Sequence, residues 1–187
     1  MLSVIITTLD SERALVPTLA ALVPGAMAGV VSEVLVADGG SQDDTVAVAE
    51  VAGCNFMVVE GGLARRLNAA AAMARARWLL FLRPGTVLDA SWTADARRFV
   101  ERPSRDAGAA VFRRGAPARP VLRDALSLLA TALGRRPRPE QGLLISKLFH
   151  AGLGGHSETV ADPETDLIRR IGRRRIVTLP TGAYDAV

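Results

Sequence analysis

At 187 residues and 49% apolar content, the chain has the length of one domain and enough hydrophobic material for a sizeable core, which excludes a disordered polypeptide. The formal net charge is only +4 although the isoelectric point is near 10.4, because Lys147 is the sole lysine and the remaining basic residues are Arg, which does not titrate near neutrality. Acids are interspersed with the arginines, so no nucleic-acid footprint is expected.

Ser3 to Thr8 (SVIITT) is short, apolar and β-branched and reads as a buried strand, with no secretory leader ahead of it. A polar turn at residues 10–12 follows, then helical spacing from Leu15 to Leu22, in which Pro17 fits only a first turn. Val34 to Ala37 is a second buried strand, and Asp44 to Ala52 a helix ended by Gly53. The single cysteine, Cys54, excludes an internal disulfide and suits a reducing compartment. Phe56 to Val59 is a third strand, Leu63 to Ala76 an Ala-rich helix and Trp78 to Leu82 a fourth strand. Strand and helix alternating over short connections predict a mostly parallel sheet with helices on both faces.

The second half is less regular. A helix is expected over Ala90 to Val100, a strand over Ala109 to Arg113, and an amphipathic helix over Arg119 to Leu133. The apolar run from Ala125 to Leu133 is far short of a membrane span of about 20 residues. A basic, breaker-rich loop (Arg135, Arg136, Arg138) precedes a strand at Gly142 to Ile145, a helix near Lys147, and a Gly-rich turn at Gly152 to Gly155. A helix over Pro163 to Ile171 and a strand over Arg175 to Leu179 close the pattern. His150 and His156 flank the Gly-rich turn without a cluster of other metal ligands, so both are expected at the surface.

Ligands of open parallel sheets bind beyond the carboxyl ends of the strands, and Asp38 stands at such an end. There a carboxylate can accept hydrogen bonds from a base or ribose, Gly39 and Gly40 permit close backbone approach, and Ser41, Asp43 and Asp44 suit a helix start. The same segment also fits an ordinary capped strand-to-helix turn. The turn after the first strand holds no glycine, which argues against a dinucleotide-binding loop, and no Walker-type phosphate loop occurs. No serine or cysteine lies in a nucleophile-elbow setting.

Taken in order, Ser3 to Asp10 (SVIITTLD), Val34 to Thr45 (VLVADGGSQDDT), Ala64 to Ala69 (ARRLNA) and Leu79 to Leu82 (LLFL) resemble a family 2 glycosyltransferase with the GT-A fold, in particular its short bacterial subgroup. Gln141 to Ile145, Leu153 to Gly155 and Asp166 to Arg170 continue the likeness. The resemblance implies one α/β domain over residues 1–187, with a nucleotide-binding half (1–102) and an acceptor-side half (103–187). It also implies a nucleotide-diphospho-sugar donor. Thr8 and Asp10 would lie against the nucleoside, Asp38 would contact the base, and Arg65 would stand near base or phosphates, with Asn68 on the same helix face. The implied partners are that donor and an acceptor of unstated identity, without nucleic acid. Membrane-surface contact and self-association stay open, and the implied location is cytoplasmic or peripheral to the inner membrane face.

The sequence departs from the family at two points. The family's acidic D-x-D motif, which holds Mn²⁺ or Mg²⁺ across the donor diphosphate, is replaced by Arg83, Pro84, Gly85 and Thr86, so the metal ligands are absent; Asp89 lies beyond the turn. Either Arg83 takes over the diphosphate as a bidentate cation, or the domain is a catalytically inactive, ligand-binding or scaffold relative. The family's acidic pair falls on Pro163 and Glu164, so Glu164 becomes the candidate general base; Asp162, Pro163 and Glu164 equally make a normal helix start.

Overall fold

The computed structural model describes residues 1–101, 108–115 and 137–186. In chain order the elements are β1 (Leu2–Thr8), α1 (Glu12–Met27), β2 (Val31–Asp38), α2 (Thr45–Val51), β3 (Asn55–Val58), α3 (Leu63–Met73), β4 (Trp78–Leu82), β5 (Thr86–Leu88), α4 (Trp92–Glu101), β6 (Ala109–Arg114), β7 (Leu143–Ser146), α5 (Lys147–Gly152), α6 (Pro163–Ile171) and β8 (Ile176–Asp185). Single 3-10 turns lie at Pro139–Gln141 and Arg173–Arg175. The expected helix over residues 119–133 and the start of the basic loop lie outside the described residues.

Alternation along the strands accounts for the layering. Val4 and Ile6 of β1, Leu80 and Leu82 of β4 and Leu144 of β7 join α1 (Leu15, Leu19, Leu22) and α4 (Trp92, Ala96, Phe99) in one buried cluster. Their neighbours Ile5, Leu79, Phe81, Leu143 and Ile145 point the other way, into a second cluster with Leu67, Ala70 and Ala71 of α3 and Leu167 and Ile171 of α6. A strand buried on both faces must be apolar throughout, which is why β1 and β4 read as continuous hydrophobic runs. All eight strands form one sheet in the order β3-β2-β1-β4-β7-β6-β8-β5. The first four run parallel, and β7 then pairs antiparallel with β4, bringing Phe81 opposite Leu143.

Three details differ from the sequence reading. α1 begins at Glu12, so Pro17 sits in its second turn, with Pro24 further on; tertiary burial of Leu15, Leu19 and Leu22 outweighs the backbone bond that each proline forfeits. β5 is too short to show a period in sequence and exists because it pairs with β8. β8 runs past Pro180 and Gly182 because the register against β6 shifts there, Phe112 facing Leu179 and Arg113 facing Gly182, so exposed Pro180 stands in a bulge.

Trp92 pins α4 to α1. It is fully buried, and its indole N–H donates to the Ala21 carbonyl at 3.0 Å. A Cβ at Gly25 would run into the indole ring, so the contact needs glycine. No helix among the described residues is long and apolar enough to cross a membrane.

Candidate functional site

Because β1, β2 and β4 are parallel and in register, with Thr8 opposite Asp38 and Ile6 opposite Leu82, the turns that follow them open at one edge of the sheet. Asp38 is buried there, and both its oxygens are engaged within the protein. Oδ1 accepts from Thr8 Oγ1 at 2.7 Å and Ser41 Oγ at 2.5 Å, and Oδ2 accepts from the backbone N–H groups of Gly40 at 2.8 Å and Ser41 at 2.7 Å. Burial works to raise its pKa, but the hydrogen bonds, led by Ser41, outweigh it and hold the carboxyl below its usual range. Four donors fill a carboxylate's ordinary capacity, so Asp38, expected at the base, acts in this geometry as the organiser of its own turn. Ser41, expected to cap the next helix, instead ties two turns together: it donates to Asp38 and accepts the Asp10 N–H at 2.8 Å. Asp10 is the one described non-glycine residue with positive φ, 47°. Its Oδ1 accepts the Gln42 N–H at 2.7 Å, which holds the strained residue in place, and its other oxygen stands in the exposed turn.

The first turn of α3 faces this edge. Arg65 is exposed and lies along Gly61. Its neighbour Arg66, which the sequence reading passed over, turns inward. A Cβ on Gly39 would strike Arg66 Nη1, and Leu9 lies beside the same space. Arg66 Nη1 donates to the Gly61 carbonyl at 3.3 Å, while Nε is buried and makes no hydrogen bond among the described residues. The contact between Gly39 and Arg66 is invisible in sequence because the two meet only through the turn.

Asn68 clamps the Gly-rich turn of the second half: Oδ1 accepts the His156 N–H and Nδ2 donates to the His156 carbonyl, both at 2.8 Å. His150 and His156 are buried, at 5% and 2% exposure, which corrects the expectation of surface histidines. Each satisfies the other, with His150 Nε2 and His156 Nδ1 3.1 Å apart, and both rings pack on Phe81. Burial pushes them down to about 4 and about 3, with help from the nearby Arg170 charge, so both are neutral.

Arg83 follows β4 and meets the second half of the molecule. Its Nε and Nη2 donate to Glu164 Oε2 at 2.8 and 2.5 Å, and its Nη1 to Glu140 Oε1 at 3.0 Å. The side chain of Glu164 is 12% exposed and that of Glu140 53%. Burial raises the Glu164 pKa; Arg83 pulls it down, Asp162 and Glu140 push it up, and the net direction is upward. Glu164 also lines a small crevice with Phe81, Leu143 and His156. Asp162 caps α6 by accepting the Thr165 N–H at 3.0 Å, with Pro163 at the first helical position, as expected. Asp89 is engaged by the Gly182 N–H at 3.0 Å. Among the described residues, the carboxylates that reach the end of β4 are engaged by Arg83 rather than left open to a cation. Glu140 and Glu164 share one guanidinium, and among the described residues no group of three or more His, Cys, Asp or Glu is placed to hold a metal.

Residues 3–124, more than half of the chain, match the profile of Glycosyl transferase family 2. The chain belongs to glycosyl transferase family 2. Solved GT-A glycosyltransferases share its fold, each at 20% identity or less. The mannosyltransferase PcManGT from Pyrobaculum calidifontis, solved with GDP-Man and Mn²⁺, superposes with a TM-score of 0.75 at 20% identity, covering 100% of this chain and 56% of that one. Residues 1–349 of S. aureus TarS give 0.73 at 18%, covering 99% and 60%. The glucosyl-3-phosphoglycerate synthase of Mycobacterium tuberculosis, solved with Mn²⁺, UDP and glucosyl-3-phosphoglycerate, gives 0.71 at 18%, covering 97% and 70%. The chain therefore spans 56% of the length of the mannosyltransferase, 60% of the TarS fragment and 70% of the synthase. No curated protein matches it by sequence.

Proposed function

We propose that this family 2 domain transfers a sugar from a nucleotide-diphospho-sugar to an acceptor hydroxyl without a metal at the diphosphate. Thr8 and Asp38 brace the turn, Asp10 and Arg65 meet the nucleotide, Arg83 takes the diphosphate and Glu164 is the base. The acceptor oxygen forms a bond to the anomeric carbon as the bond from that carbon to the diphosphate oxygen breaks. The electron pair leaves on the diphosphate, and the acceptor proton passes to Glu164. The observation that carries the reading is the Arg83–Glu164 pair at the edge where the strand-end turns converge. Exposed Glu140 holds Arg83 through a pair of a kind that contributes at most about 1 kcal/mol, so diphosphate oxygens can replace it readily. As the diphosphate draws the guanidinium away, Glu164 is released to act as base, buried and therefore more basic than an ordinary carboxylate.

The same ion pair favours a second reading, a non-catalytic relative in which Arg83 permanently neutralises Glu164. Calorimetry with UDP, GDP and their sugars, with and without Mn²⁺, followed by a donor-turnover assay, separates the two. Transfer predicts metal-independent binding that collapses in Arg83→Ala, with turnover lost in Glu164→Gln. Binding without turnover favours the non-catalytic relative, and turnover that needs Mn²⁺ overturns the metal-free account.

A further inference from the structure

We infer that Arg66, seated over Gly39, reads the nucleobase of the donor, and that the site takes a base with two adjacent hydrogen-bond acceptors, guanine or cytosine. The inference rests on the donor-binding reading above and names its nucleotide. Three observations converge on it. Gly39 leaves the space a side chain would fill, and Arg66 Nη1 stands in that space beside Leu9. The guanidinium is under-bonded: Nη1 makes one long bond to the Gly61 carbonyl, at 3.3 Å, and Nε makes none among the described residues although it is buried. A buried donor without a partner is costly, so an arriving acceptor gains more here than at a satisfied group. The carboxylate beside it, Asp38, cannot contribute, since its oxygens already hold four donors. The free oxygen of Asp10 belongs to a residue tied to Ser41 and Gln42, further along the turn.

The base therefore meets a group that only donates. A guanidinium fork pairs with two neighbouring acceptors, as guanine offers at O6 and N7 and cytosine at O2 and N3. Uracil sets an N–H between its two carbonyls, and adenine sets an amino group beside N7, so each turns a donor toward a donor.

The test is calorimetric titration of GDP, CDP, UDP and ADP at one ionic strength into the wild-type chain, Arg66→Leu, Arg66→Lys and Gly39→Ala, each checked for native circular dichroism. GDP or CDP should bind about tenfold or more tightly than UDP and ADP, the discrimination of one bidentate pair. Arg66→Leu and Arg66→Lys should both erase that ranking, while the lysine keeps more of the diphosphate affinity through its charge. Gly39→Ala should weaken the ranking with the arginine still present, because the methyl takes its seat. A ranking led by UDP or ADP, or one that survives Arg66→Leu, overturns the inference and leaves donor binding standing. Failure of all four nucleotides to bind the wild-type chain removes the donor reading and this inference with it.

Discussion

Asp38 is a buried carboxylate and Glu164 a largely buried one at the same edge, and their surroundings drive them in opposite directions. Asp38 collects four donors and stays ionised; Glu164 has one cation against burial and two neighbouring acids. Asp38→Ala should therefore cost about 2 kcal/mol or more in urea denaturation, the scale of hydrogen bonds to a charged group, and should weaken nucleotide binding by loosening both turns. If Glu164 is the base, the acid limb of a kcat/KM profile should lie above the ordinary carboxylate value. Arg83→Met removes the charge that favours the carboxylate, so the Glu164 carboxyl, followed by NMR in the nucleotide-free chain, should titrate at higher pH than in the wild type; an unmoved titration would overturn the pairing. At this scale the sequence was informative about residue types and poor about their partners. Asp38, Arg83 and Glu164 stand out by position, but that Arg83 spans 81 residues to reach Glu164 is set by tertiary packing alone. Arg66 was missed for the same reason: helix spacing shows Arg65 and Arg66 as equals, and only the turn at Gly39 distinguishes them.

Among the elements, the strands that are buried on both faces were legible because nothing else explains a run such as Ser3 to Thr8. Those that depend on a partner were not: β5 has three residues and the end of β8 contains a proline and a glycine. The α1–α4 contact makes a prediction at this level. Trp92→Ala removes a fully buried indole and should destabilise the protein by about 3–5 kcal/mol. Gly25→Ala should also destabilise, by overpacking rather than by a void. Thermal unfolding of both variants, with the double variant Gly25→Ala/Trp92→Ala, checks this: the methyl should be tolerated once the indole is gone, so the two losses should not add.

Across the whole molecule, the reversal between β4 and β7 puts the beginning of the second half against the end of the first, which is how Glu140 and Glu164 come to face Arg83. It also buries the two histidines behind Phe81. Their lowered pKa values mean that the unfolded chain takes up protons that the fold refuses. The stability they permit is complete above about 6.5, the unfolded value, and declines as pH falls toward about 4 and about 3. The melting temperature should drop between pH 6.5 and 4.5, and His156→Gln should flatten the drop. Arg83 has a further thermodynamic consequence. One guanidinium balances the charge of Glu164, so an anion that captures it leaves a buried carboxylate without a counter-charge. On the acid side of the range in which Glu164 works as base, ligand and proton should then arrive together. Nucleotide affinity should strengthen as pH falls, and calorimetry repeated in buffers of different ionisation enthalpy should register net proton uptake, which Glu164→Gln abolishes.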